Sequence, residues 1–125
     1  LKETANYARD EGMNLMLKWL TNGESINIVA ANNDEMAIGA AMAIRQSKVK
    51  DPILVGGIDA TPDGLKALAN GAIAVTVFQD AVGQGKAAVE EARLLVKGEK
   101  RDTHRWIPFE LVTKENMQSY VERAK

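Results

Sequence analysis

The 125 residues carry a formal net charge of −1 with the signs scattered along the chain, 46% hydrophobic and 26% charged residues, no cysteine, and one histidine, His104. A chain of this length suits one domain that buries roughly two-thirds of the surface its unfolded form exposes. The composition leaves no basic stripe for nucleic acid, no disulfide framework, no thiolate or His-based metal centre, and no apolar run near the ~20 residues of a membrane span.

The chain has no initiating Met and no signal peptide, and it opens inside a helical pattern, so it reads as a fragment of a longer protein. From Glu3 to Leu20, Ala8, Gly12, Leu15, Met16 and Trp19 recur on one face of a helix that Asn22-Gly23 ends. Trp19 and the methionines Met13, Met16, Met36 and Met42 read as packing residues. "INIVAA" (26–31) is a short run rich in β-branched residues, which predicts a buried strand. "NNDE" (32–35) then starts a second helix with Ala37, Ala40, Ala41 and Ile44 on one face.

A second apolar run, 53–58, leads into "ATPDG", where Thr61 can cap a helix whose first residue is Pro62 and which reaches about Asn70-Gly71. "AIAVTVF" (72–78) predicts a third strand. Asp80 can cap a fourth helix with Val82, Gly85, Val89, Ala92 and Val96 in one stripe, ended by Gly98. The charged segment "KGEKRDT" (97–103) is a surface connection. "RWIPFELV" (105–112) predicts a fourth strand, at an edge or bend because of Pro108, with Trp106 in the core; a short helix over 114–124 closes the chain.

Apolar strands that each lead into a helix point to a parallel sheet covered on both faces, hence a doubly wound α/β domain spanning 1–125. In such sheets ligands bind outside the carboxyl ends of the strands. The polar residues placed there are Asn32 to Glu35, Asp59, and Gln79 with Asp80. Capping is the competing explanation for each. Asp34 and Asp80 sit immediately before their helices and read as caps, which frees Asn33 and Gln79. Asp59 has no local duty, because Thr61 and Pro62 already start its helix. One carboxylate and two amides suit a neutral polyhydroxylated ligand, since carboxylates accept from hydroxyls while amides both donate and accept. His104 reads as solvated, and Arg9 as the partner of a nearby carboxylate.

"TANYARDEGMNLMLKWL", "ANNDEMAIGAAMAI", "LVGGIDATPDGLKAL" and "GAIAVTVFQDAVGQGKAAVE", in this order and spacing, resemble the carboxyl-terminal half of the ribose- and galactose-binding type of periplasmic sugar-binding protein. The resemblance implies one lobe of a two-lobe solute-binding protein that serves a membrane ABC permease, located in the periplasm or at the cell surface, without enzymatic activity, cofactor or metal. It assigns hydroxyl-binding roles to Asn33, Asp59 and Gln79, and stacks Tyr7 of "ANYAR" on the sugar ring. It also implies that residues 80–103 cross to the amino-terminal lobe absent from this chain. The fragment alone would then bind sugar weakly, and its exposed stripe on the fourth helix would invite dimerisation.

Two positions depart from the family pattern. Ile58 stands where a second aromatic is frequent, and Ala8 where an acid follows the first aromatic. Both point away from ribose, toward a hexose, a cyclic polyol or an amino-polyol. The alternative function is the effector lobe of a sugar-responsive transcription regulator of the lactose-repressor type, which shares "NDEMA". A phospho-accepting receiver domain built on Asp59 would need acids at the first strand and a late lysine, and this sequence has no such set.

Overall fold

The computed structural model describes residues 1–47, 49–100 and 103–123. Its elements are α1 (Arg9–Thr21), β1 (Ile28–Ala30), α2 (Asp34–Ser47), β2 (Leu54–Gly56), α3 (Pro62–Ala69), β3 (Thr76–Gln79), α4 (Ala81–Val96), β4 (Phe109–Val112) and a final 3-10 turn, Met117–Tyr120. Each strand is found where a strand was expected, but only three or four residues are paired, near the middle of the run in β1 and β2 and at its carboxyl end in β3 and β4. Arg101 and Asp102 of the charged connection, and Ala124 at the end of the expected last helix, lie outside the described residues.

β1 and β2 pair in parallel, Val29 opposite Val55. Single parallel bridges, Gly56 to Val75 and Asp59 to Phe78, carry the sheet on to β3. β4 then pairs with β3 antiparallel, Thr76 opposite Val112 and Gln79 opposite Phe109, so the wholly parallel sheet expected from the sequence ends in a reversed strand. The reversal fits an edge strand that begins directly after Pro108, whose missing N–H bars it from a central ladder.

Helix α1 begins at Arg9 and not at Glu3. Asn6 and Tyr7 take left-handed backbone angles (φ 44° and 59°), which break the helical pattern three to four residues after its expected start. α1 lies close against α2. A Cβ at Gly39 would collide with the Arg9 carbonyl, and one at Gly12 would come within 2.8 Å of the Met36 carbonyl oxygen, so the two glycines set this approach. Met16, Ala40 and Ala43 are buried in the seam, with Trp19, Ile26 and Ile53 packed around them. A second cluster, Val55, Leu65, Leu68, Ile73, Phe78, Val112 and Tyr120, fills the space between the sheet, α3 and the final turn.

Among the described residues, the sheet is covered on one face only. Val55, Phe78 and Val112 face inward, whereas their alternates Ile28, Leu54, Phe109 and Leu111 are exposed. The α/β architecture expected from the sequence is present, with the described residues supplying the helices of one face. Helix α4 buries only Ala87, leaving Val82, Val89, Leu95 and Val96 in solvent. Trp106, expected in the core, is 85% exposed and stacks on His104 (ring centroids 6.0 Å apart) because it precedes the paired part of β4.

Candidate functional site

The carboxyl ends of β1, β2 and β3 open onto one rim, and the starts of α2, α3 and α4 follow there within a few residues of each strand. At β1 the chain turns into α2 through Asn33. Its Oδ1 accepts from the Met36 N–H (2.9 Å), and its backbone carbonyl receives the first helical bond, from Ala37 (3.2 Å). Asn33 is thus the cap of α2, the duty the sequence assigned to Asp34. One amide N–H of Asn33 also donates to the Tyr7 carbonyl (3.2 Å), which ties the turn before α1 to the start of α2. Asn33 is 8% exposed.

Asp34 is 0% exposed and has a different use. Its Oδ2 accepts from the Thr61 N–H (2.7 Å) and from the Thr61 hydroxyl (3.1 Å), and its Oδ1 accepts from the Thr76 hydroxyl (2.6 Å). Burial pushes this carboxyl above its ordinary value, against the pull of the three hydrogen bonds. The expected caps at the next two helices are present: Thr61 Oγ1 accepts from the Gly64 N–H and Asp80 Oδ1 from the Gly83 N–H, both at 2.9 Å.

Asp59 and Gln79 meet at the rim. Gln79 Nε2 donates to Asp59 Oδ1 (2.8 Å), and among the described residues no donor reaches Asp59 Oδ2. The side chain is half-buried, and its backbone is left-handed at φ 112°, followed by Ala60 at 51°. Desolvation and the neighbouring Asp34 charge both raise the Asp59 carboxyl, partly offset by the Gln79 amide. Tyr7 is 68% exposed in its left-handed turn. The structure therefore joins the four sequence candidates in two pairs, Tyr7 with Asn33 and Asp59 with Gln79, and leaves one carboxylate oxygen and one aromatic ring open.

Arg9, at the first position of α1, forks onto Glu35 of α2 (2.8 and 2.9 Å) and reaches Asp63 of α3 (3.0 Å). These contacts raise the guanidinium pKa still further, with the Glu35 hydrogen bonds as the largest cause. Sequence reasoning foresaw a carboxylate partner for Arg9 but missed the Asp34 network. The signal for that network was Thr76, a hydroxyl on the inward face of an apolar strand. A groove of about 720 Å³ between α2 and α3 is lined by Arg9 and Asp63 but by none of the four candidates. The candidate site is an open wall. Among the described residues no cluster of three or more His, Asp or Glu side chains is placed to hold a metal ion.

A protein of Rhizobium meliloti named for rhizopine binding is 49% identical over 120 residues, which is 95% of this chain and 39% of that protein. The ribose import binding protein of Escherichia coli is 38% identical over 113 residues, 90% of this chain and 38% of that protein. The crystal structure of an ABC transporter solute-binding protein from Bacillus halodurans with bound myo-inositol superposes with a TM-score of 0.85 at 48% identity, covering 96% of this chain and 42% of that one. The chain thus spans about two-fifths of the length of the relatives it matches. The sequence profile of the periplasmic binding protein domain matches residues 1–100, and the chain belongs to that family.

Proposed function

We propose that this chain forms one wall of the solute site in an ABC import system's binding protein, and that the solute is a cyclic polyol of the inositol class. The observation that carries this reading is the Asp59 carboxylate, held through one oxygen by Gln79 while the other faces the open rim. An ionised carboxylate so fixed accepts from ring hydroxyls, and the exposed Tyr7 ring offers a flat apolar face to the C–H side of a saturated ring. Asn33 contributes an amide whose Nδ2 has a second proton beyond the one given to Tyr7. Hydrogen bonds of this kind position a solute without reacting with it.

The solved relative holding myo-inositol, 48% identical to this chain, supports the choice of ring. All three relatives above are binding proteins, which favours solute capture over the effector lobe of a regulator. In this reading the remainder of a longer, periplasmic or cell-surface chain supplies the facing lobe and covers the bare sheet face. The stretch 80–103 crosses toward that lobe, and the complete protein docks on a membrane permease. The apolar stripe on α4 supports the crossing, since it has no cover among the described residues.

Calorimetric titration of the full-length protein with myo-inositol, ribose and galactose tests the proposal. The expected result is affinity for myo-inositol at least about tenfold above that for either sugar, or about 1.4 kcal/mol. Preference for ribose would overturn the choice of solute, and absence of binding to any of the three would overturn the polyol site.

A further inference from the structure

The acid at position 34 is more deeply buried than a helix start requires, and the cap of α2 is made by its neighbour Asn33. Its surroundings are thinned to fit it. A Cβ on either Gly57 or Gly64 would run into the Asp34 carboxylate, so α3 and the loop after β2 both leave room for the charge. The carboxylate faces the strained turn Asp59–Thr61. Left-handed angles at two successive non-glycine residues persist only where the surroundings over-determine them.

Here three consecutive amides are each claimed. Asp59 N–H donates to the Val77 carbonyl (2.8 Å), Ala60 N–H to Thr76 Oγ1 (3.2 Å) and Thr61 N–H to Asp34 Oδ2 (2.7 Å). The last two depend on Asp34. Thr76 has a single hydroxyl proton, and giving it to Asp34 Oδ1 turns the oxygen's lone pairs toward Ala60.

We propose that Asp34 is a positioning residue of the solute site, which acts through Thr61 and Thr76 to hold the turn that presents the Asp59 carboxylate to the polyol. The inference rests on Asp59 as a solute contact, the reading given above. An amide at position 34 cannot replace the acid. With its oxygen on the Thr61 N–H, its NH2 would meet the Thr76 hydroxyl and displace the proton now given to Oδ1. The other orientation sets two donors, NH2 and Thr61 N–H, against each other. The charged or titratable groups facing Asp34 are Asp59 and Glu35, both acids, so removing the Asp34 charge also lowers the repulsion felt at Asp59.

The test uses Asp34→Asn, Thr76→Val and Thr76→Ser in the full-length protein, with myo-inositol affinity followed from pH 7 downward and amide exchange at Ala60 and Thr61 followed without ligand. Asp34→Asn and Thr76→Val should each weaken binding at least about tenfold, and Thr76→Ser should restore it to within about threefold of wild type. In Asp34→Asn the acid limb of binding should also move to lower pH, which a merely structural loss would not produce. Should Asp34→Asn fail to fold, the Thr76 pair decides the question alone. Wild-type affinity in Thr76→Val, or unchanged exchange at Ala60 and Thr61, would overturn the positioning role. A wild-type protein that binds no polyol would instead overturn the solute reading and with it the functional role of Asp34, while the exchange data would still report whether Asp34 holds the turn.

Discussion

Along the inward face of the sheet, Val55, Phe78 and Val112 are at most 4% exposed, while Ile28, Leu54, Phe109 and Leu111 on the other face are 57 to 69% exposed. Adjacent residues of the same strands, equally apolar, thus meet opposite environments. Strands that are apolar on both faces are those of sheets covered on both. The pattern in the sequence therefore records how many covers the sheet needs, without recording which chain segment supplies them. α1, α2, α3 and the final turn supply one cover. The other falls, in our proposal, to residues outside these 125.

Matched substitutions can break this comparison. Phe78→Ala should cost about 3–5 kcal/mol in urea unfolding of the chain, because the ring leaves a cavity between α3 and the final turn. Phe109→Ala, on the bare face, should stay within about 0.5 kcal/mol. Equal losses would mean that the second face is packed after all.

The rim where the two faces end is sharpened by Asp59→Ala in the full-length protein. Each hydrogen bond to a charged group contributes about 1.5–3 kcal/mol, so losing two should remove measurable binding, while thermal unfolding changes little. Near-native affinity would take Asp59 out of the site. The wild-type protein adds a pH signature. Binding needs the ionised carboxylate, and because desolvation and Asp34 raise its pKa, affinity should fall on acidification at a pH above the ordinary 3.8 of an aspartate.

A smaller effect is expected at Asn33, which caps α2 and, in our proposal, also meets the solute. Asn33→Ala should lose about 1 kcal/mol in thermal melts through its cap and also weaken binding in titrations. A stability loss with unchanged affinity would leave it a cap only. Least costly to folding is Leu111→Lys, which should change stability by less than about 0.5 kcal/mol but reduce any self-association of the isolated chain in sedimentation. A chain that is monomeric before the change would show that the bare face does not drive association.

The strands and the four longer helices were legible because apolar periodicity and punctuation agree, with Thr61-Pro62 and Asp80 starting helices where their chemistry predicts, whereas the helix expected over 114–124 is only the 3-10 turn Met117–Tyr120. Three features were not legible, each for a physical reason. Asn33 and Asp34 are both competent caps, and only the tertiary position of Thr61 and Thr76 decides that the acid turns inward and the amide caps. The turn at Asn6-Tyr7 contains neither Gly nor Pro, and its one residue tolerant of left-handed angles, Asn6, is a weak signal inside an otherwise helical pattern. The direction of β4 depends on how the chain returns from α4, a path whose length leaves both directions open. Of the candidate site, the placement of Asp59 and Gln79 at one sheet edge followed from strand ends alone, whereas their hydrogen bond and the strain in the Asp59 backbone did not.

The Arg9 clasp has a consequence for how a solute would be met. Tyr7, Asn33 and Asp59 stand just before three different helices, and loops of this kind ordinarily move independently. Arg9 joins the first turns of those helices through Glu35 and Asp63, and the Asn33 bond to the Tyr7 carbonyl joins two of the loops directly. Much of the ordering of this wall is therefore settled when the chain folds, and little rotational freedom remains to be lost on contact. In the proposed two-lobe protein, affinity would be governed by the closing of one finished wall against another, and selectivity by the spacing of hydroxyls that a rigid carboxylate and a rigid ring accept.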